Sequence, residues 1–186
     1  MGCGSPSRIS PVSDPLLSPD DVLMGLEALV DELVRRGASS HIRIVGGAAV
    51  MIQAGRESLS RDIDALYSAS STIDGAIASV ARELHWPETW LNDAVKMYAS
   101  NYDDADDWEV HIDRAGVIVS IATCRLLLAM KLLAGRYRDI EDISLLLSAC
   151  DITERQAAVD VFDHYYPTES MKPRAFRILD DLLPTV

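Results

Sequence analysis

Leu23, Leu26, Val30, Leu33 and Val34 recur at helical spacing, in a segment that opens with Ser18-Pro19-Asp20-Asp21 and stops at Gly37. A capping serine, a proline at the first helical position and acids in the first turn favour a helix start, so an amphipathic helix is predicted here. His41 to Val45 is short and rich in β-branched residues, ends at Gly46-Gly47, and is followed by Ala48-Ala49-Val50-Met51-Ile52 and Gly55. That pattern predicts strand, glycine turn, helix. Asp62 to Tyr67 alternates polar and apolar like a half-buried strand, and Ile73, Ile77, Val80 and Leu84 mark another helix.

From Trp86 to Asn101 the pattern is mixed. Asp103, Asp104, Asp106 and Asp107 then form an acidic loop ahead of two predicted strands, Trp108 to Ile112 and Val117 to Ile121, with Gly116 suited to the turn between them. Beyond Thr123 the periodicity is helical over 124 to 134, 138 to 149, 153 to 165 and 174 to 182, with Pro167, Pro173 and Pro184 near the ends of the last two. Residues 1 to 17 are rich in Ser, Pro and Gly and read as a flexible tail. The expectation is an α+β fold in one domain over 18–186: a mixed sheet flanked by helices to about 122, then a helical part over 123–186. No internal repeat is visible.

Composition narrows the setting. With 186 residues, 48% apolar and 25% charged, the chain matches one ordinary globular domain able to bury a real core. A formal net charge of −12 argues against a broad, non-specific grip on a phosphate backbone. A local basic patch or bound divalent cations would still admit nucleic acid. Cys3, Cys124 and Cys150 are odd in number and lack paired spacing, which predicts neither a disulfide framework nor a zinc site and suits a reduced cytoplasm. The start Met1-Gly2-Cys3-Gly4-Ser5-Pro6 places proline where a myristoylation signal needs Ser or Thr. No apolar run approaches the ~20 residues of a membrane span, and no leader precedes Ser18, so no membrane partner is expected.

Asp62 and Asp64 stand two apart on a predicted strand, so both carboxylates leave one face. Two readings stand: a solvated strand end, or a site where close like charges share a divalent cation, Mg²⁺ or Mn²⁺. Gly46-Gly47 either just turns the chain or opens a helix whose free N–H groups suit a triphosphate. Lys131 is the one polar side chain between Leu126 and Ala134; a lysine so placed either snorkels or meets an anion.

Val45-Gly46-Gly47, fourteen residues and then Asp62-Ile63-Asp64 resembles the signature of the nucleotidyltransferase superfamily that includes DNA polymerase β. The stretches Gly46 to Val50 and Ser60 to Leu66 look most like its bacterial branch of abortive-infection-type toxins. Lys131 to Ile143, containing Arg136, Arg138-Asp139-Ile140-Glu141-Asp142, is similar to that branch's downstream segment. The resemblance implies an NTP substrate and a divalent metal on Asp62 and Asp64. It implies phosphate contacts from Gly46, Gly47, Ser60, Arg61 and Lys131, and a catalytic part for Lys131 and Asp139. Ser58 stands where the branch has Arg, leaving Arg56 or Arg61 to substitute. The third metal carboxylate of polymerase-like members falls to Glu109, to Asp113 or to neither. Asp142 is either a partner of this cluster or a charge at a helix N-terminus.

Transfer of an NMP from an NTP is therefore the leading expectation. The 3′ end of a tRNA is the acceptor implied by resemblance, and an antitoxin protein the implied partner. Two alternatives stay open: nucleotidylation of a small molecule such as an aminoglycoside, and a degenerate domain that only binds nucleotide or protein. The acidic loop lacks a calcium-loop pattern and reads as solvated, the four histidines show no ligand spacing, and Trp86, Trp90 and Trp108 read as packing residues.

Overall fold

Alternation along the strands decides which face of the sheet meets the core. In β2 (Ile63–Leu66) Ile63 and Ala65 are fully buried while Asp64 and Leu66 are not, so the two-residue period sends apolar side chains one way and the carboxylate the other. The computed structural model describes residues 16–183. The readings of residues 1–15, of Cys3 and of Pro184 lie outside the described residues.

Five strands form one mixed sheet in the order β3-β2-β1-β5-β4. β1 (Ser40–Val45) occupies the centre, antiparallel to β2 and parallel to β5 (Val117–Ala122). β3 (Leu91–Asn92) runs parallel to β2, and β4 (Trp108–Arg114) closes the other edge antiparallel to β5, with a register shift between Val110 and Ile112. The fold is thus α+β, with helices flanking the sheet and completing the C-terminal part.

Helix α1 (Pro19–Arg35) begins with a reciprocal cap: Ser18 Oγ accepts from the Asp21 amide, and the Asp21 carboxylate accepts from Ser18 N–H and O–H. These bonds hold the Asp21 carboxyl below its usual range. α1 packs on α3 (Ser71–Leu84), where the Ser70 hydroxyl accepts from the Ile73 amide without a returning bond. α4 (Cys124–Ala134) contacts α5 (Ile140–Ala149), α6 (Arg155–Tyr165), α7 (Pro173–Leu182) and also α2 (Gly46–Ala54). A helix surrounded this way must be apolar nearly all round, and Leu126 to Met130 and Leu132 are indeed buried. One hydrophobic core runs through both parts of the chain, from Leu17 to Leu179.

Several expectations are adjusted. Leu17 belongs to the fold, not to a tail: it is buried and exchanges backbone hydrogen bonds with Ser60 at 2.6 and 3.0 Å. Asp62 precedes β2, although its parity with Asp64 survives. The mixed stretch yields β3 and a 3₁₀ helix, Ala94–Tyr98. A 3₁₀ turn over Tyr137–Asp139 leads into α5, so Asp139 sits at the cap of that helix. The acidic loop is structural as well as solvated: Asp104 caps a short 3₁₀ turn, Asp103 accepts from Trp108 Nε1 at 2.7 Å, and Asp107 accepts from the Tyr165 hydroxyl.

Trp86 and Trp90 pack edge to face, 5.4 Å apart, and Trp90 Nε1 donates to the Ile77 carbonyl. A Cβ on Gly25 of α1 would lie 2.6 Å from Trp86 and 2.9 Å from Trp90. Helix propensity alone would favour Gly25→Ala by ~1 kcal/mol. The overlap should instead make it destabilising by about 1–2 kcal/mol, as overpacking does, measured by urea unfolding; unchanged or greater stability would refute the tight indole contact.

Candidate active site

The end of β1 turns sharply into α2, and the turn needs a residue without a side chain. Gly46 has φ +68°, and a Cβ there would strike the Asp64 carboxylate. Val45, which caps α2, makes no side-chain capping bond, so the amides of the first turn are not taken by a capping side chain. β2 lies beside this turn through the pairing Val45↔Asp64, which sets the carboxylate against the N-terminus of α2.

Gly46, Arg61, Asp62, Asp64, Lys131 and Asp139 all line one cleft of about 370 Å³. Asn92, Tyr98, Arg136 and Arg138 complete its polar wall, and Val95, Leu127 and Met130 its apolar one. The Asp64 carboxyl is raised above its ordinary range, first by burial and then by the like charge of Asp62, against the pull of Lys131, Arg136 and Arg138. Asp62 accepts from Asn92 Nδ2 at 3.0 Å, and Asn92 is the register partner of Asp64. Two adjacent carboxylates form an all-oxygen donor set of the kind that suits a hard divalent cation. Among the described residues no cluster of three or more His, Cys, Asp or Glu forms, so water and substrate phosphate oxygens would complete such a shell, as is usual for Mg²⁺.

Lys131 faces this pair from α4. Its Nζ donates to Asp139 Oδ1 at 2.9 Å and lies 2.6 Å from Asp142 Oδ2. Asp142 also pairs with Arg56 Nε at 3.2 Å, so both proposed readings of Asp142 meet in one buried carboxylate. The Arg56 guanidinium occupies the space where a Cβ on Gly47 would project. Charge is balanced within this group, with two cations against two anions.

Two residues expected to touch nucleotide do not line the cleft. Ser60 is nearly buried and its hydroxyl donates to the Asp62 carbonyl at 2.8 Å, bracing the turn that carries Asp62. Gly47 lies against Arg56, one position behind the cleft wall. Arg56 bonds Ser58 and Asp142 and does not reach the cleft, whereas Arg61 does. Glu109 and Asp113 are exposed on edge strand β4, separated from β2 by β5 and β1, so neither supplies a third carboxylate here. Asn92 and Tyr98 were missed, because a two-residue strand and a 3₁₀ turn leave no periodic signal. Arg136 and Arg138 stood in view beside Lys131 with no role assigned.

A raised carboxyl carries a sign for stability. Ionised Asp64 is penalised in the folded state at pH values above its raised pKa, and below the ordinary carboxylate range the penalty vanishes because both states are protonated. Without added metal, Asp64→Asn should therefore raise the melting temperature at pH 7, the gain fading as pH falls toward about 4, the ordinary carboxylate range. Calorimetry showing a loss of stability at pH 7 would contradict the burial argument.

A family model described as nucleotidyltransferase of unknown function (DUF6036) matches residues 21–176. No curated protein and no solved structure matches the chain. The chain belongs to that nucleotidyltransferase family.

Proposed function

We propose that the chain, as a member of this nucleotidyltransferase family, transfers a nucleoside monophosphate from an NTP to an acceptor hydroxyl with the help of Mg²⁺ or Mn²⁺. The observation that carries this reading is the convergence of Asp62, Asp64 and Lys131 beside Gly46 in a single cleft. Gly46 at the start of α2, Asp62 and Asp64 just before and within β2 and Lys131 on α4 come from separate elements, and packing gives no reason to bring like charges and a lysine together there. The arrangement does suit a metal triphosphate.

Asp62 and Asp64 would hold the cation, and Asn92 orients Asp62 for it. The amides of the first α2 turn face the phosphates with the positive end of the helix dipole behind them. Arg61, Arg136 and Arg138 offset triphosphate charge, and Lys131, kept in place by Asp139 and Asp142, stabilises negative charge developing on the reacting phosphate. When bound, the cation polarises phosphate oxygens and promotes loss of the acceptor hydroxyl proton. The acceptor oxygen then bonds to the α-phosphorus as the bond to pyrophosphate breaks, and the proton leaves to water.

By resemblance, the acceptor is the 3′ end of a tRNA and the activity that of a toxin restrained by an antitoxin. A cationic aminoglycoside fits less well, because the cleft gathers arginines. A degenerate, binding-only domain draws support from the lack of a three-carboxylate metal cluster among the described residues.

Purified protein incubated with each labelled NTP, Mg²⁺ and either total tRNA or aminoglycosides should label one acceptor. Asp62→Ala and Asp64→Ala should each lower transfer by at least about 100-fold, and Lys131→Met by a similar factor, the scale of losing one electrostatic group at a reacting centre. Tight NTP binding with no transfer would leave only the binding-domain reading. Transfer that survives in the double aspartate variant would overturn the metal site.

A further inference from the structure

Positive charge is unevenly placed on this acidic chain. Half of the described lysines and arginines sit within ion-pair distance of a carboxylate, such as Arg35 and Arg36 with Glu32, or Arg114 with Glu27 and Asp31. Among the described residues, those without such a partner are Arg61, Arg136, Arg138, Lys172, Arg174 and Arg177, besides Arg82 on α3 and Arg125 on α4. The six gather in one region. Arg61, Arg136 and Arg138 line the cleft, while Lys172, Arg174 and Arg177 line a depression of about 430 Å³ that meets it at Ala134.

Aromatic rings lie along the same path. Tyr137 is half exposed, with the Arg174 guanidinium 5.5 Å from its ring centroid, and Tyr98 in the cleft stands 5.3 Å from that of Arg136. Cations without carboxylate partners, interleaved with aromatic faces, grip a phosphate backbone and stack unpaired bases; a duplex hides those bases. A small cationic acceptor would be repelled.

We propose that the rim formed by the end of α4, Tyr137 and the start of α7 binds a single-stranded nucleic acid and delivers its end to Asp62 and Asp64. The proposal rests on the nucleotidyltransfer reading and specifies its acceptor as polyanionic and single-stranded. The net charge of −12 then has a use: repulsion elsewhere on the surface leaves this rim as the favourable approach.

The test uses the full chain carrying Asp64→Asn, which prevents turnover, and a fluorescein-labelled single-stranded RNA of about 12 nucleotides, within the span such sites cover. Anisotropy should show binding that weakens at least about tenfold when Lys172→Glu, Arg174→Glu and Arg177→Glu are combined, with the salt slope reduced by about 2 for three lost phosphate contacts. Tyr137→Ala should cost about fivefold or more, and Arg82→Glu, another exposed cation without a carboxylate partner elsewhere, nothing. All four altered cations are on the surface, and in the chain that keeps Asp64 the same triple substitution should leave binding of Mn²⁺ with NTP unchanged. Equal binding by the triple variant overturns the proposal, as does a preference for duplex RNA or phosphatidylserine vesicles over the strand. If wild-type protein transfers NMP yet ignores the strand, this surface falls and the catalytic reading stands. Rim-dependent strand binding without any NTP binding keeps the surface and removes the catalytic reading.

Discussion

Lys131 is held by two carboxylates, and one of them is shared with Arg56. Much of the architecture is organised around that set, whose two carboxylates are buried and whose two cations are partly so. α4 contributes the lysine, the cap and first turn of α5 contribute Asp139 and Asp142, and the loop after α2 contributes the arginine that fills the hollow at Gly47. The network therefore ties the C-terminal helices to the glycine turn of the α/β body. Breaking a buried pair by removing one partner commonly costs about 3–5 kcal/mol, because an uncompensated charge stays behind. Apolar replacement of such a pair is often neutral or stabilising, so positioning of Lys131 is the better explanation for keeping it.

Asp62 and Asp64 are the opposite case, an arrangement in which like charges are kept close without full compensation. Burial and mutual repulsion lift the Asp64 carboxyl, while Lys131, Arg136 and Arg138 pull it only part of the way back. Fold stability alone offers no reason for this. The sheet enforces it, since β2 must show Ile63 and Ala65 to the core and so must show the carboxylates to the cleft. Ser60, Leu17 and Asn92 then hold the turn before β2 in place from three directions. A cation is the simplest relief for a charge pair that its own fold does not allow to relax.

Much of this was legible in the chain. Local patterns marked the helices and four of the strands, because each has its own period or cap: Ser18 before α1, Gly46-Gly47 where β1 turns into α2, Gly116 between β4 and β5. Lys131 was conspicuous because a helix buried on nearly every side tolerates few polar residues. Other features depend on contacts distant in sequence and carry no local signal. β3 exists because Ile63 and Asp64 pair with it, Leu17 joins the fold through Ser60, and Asp103 and Asp107 become structural through Trp108 and Tyr165. Ser60 shows the complementary error. The family resemblance implied a phosphate contact for it, but the local turn directs its hydroxyl to the Asp62 carbonyl.

The central claim is that the two aspartates and Lys131 act on one metal triphosphate. Crystals soaked with Mn²⁺ and a non-hydrolysable NTP, measured at the manganese absorption edge, address it directly. The account predicts an anomalous peak within coordination distance of Asp62 and Asp64, with the triphosphate running from the start of α2 toward Lys131. A triphosphate bound elsewhere, or manganese without contact to either aspartate, would contradict it.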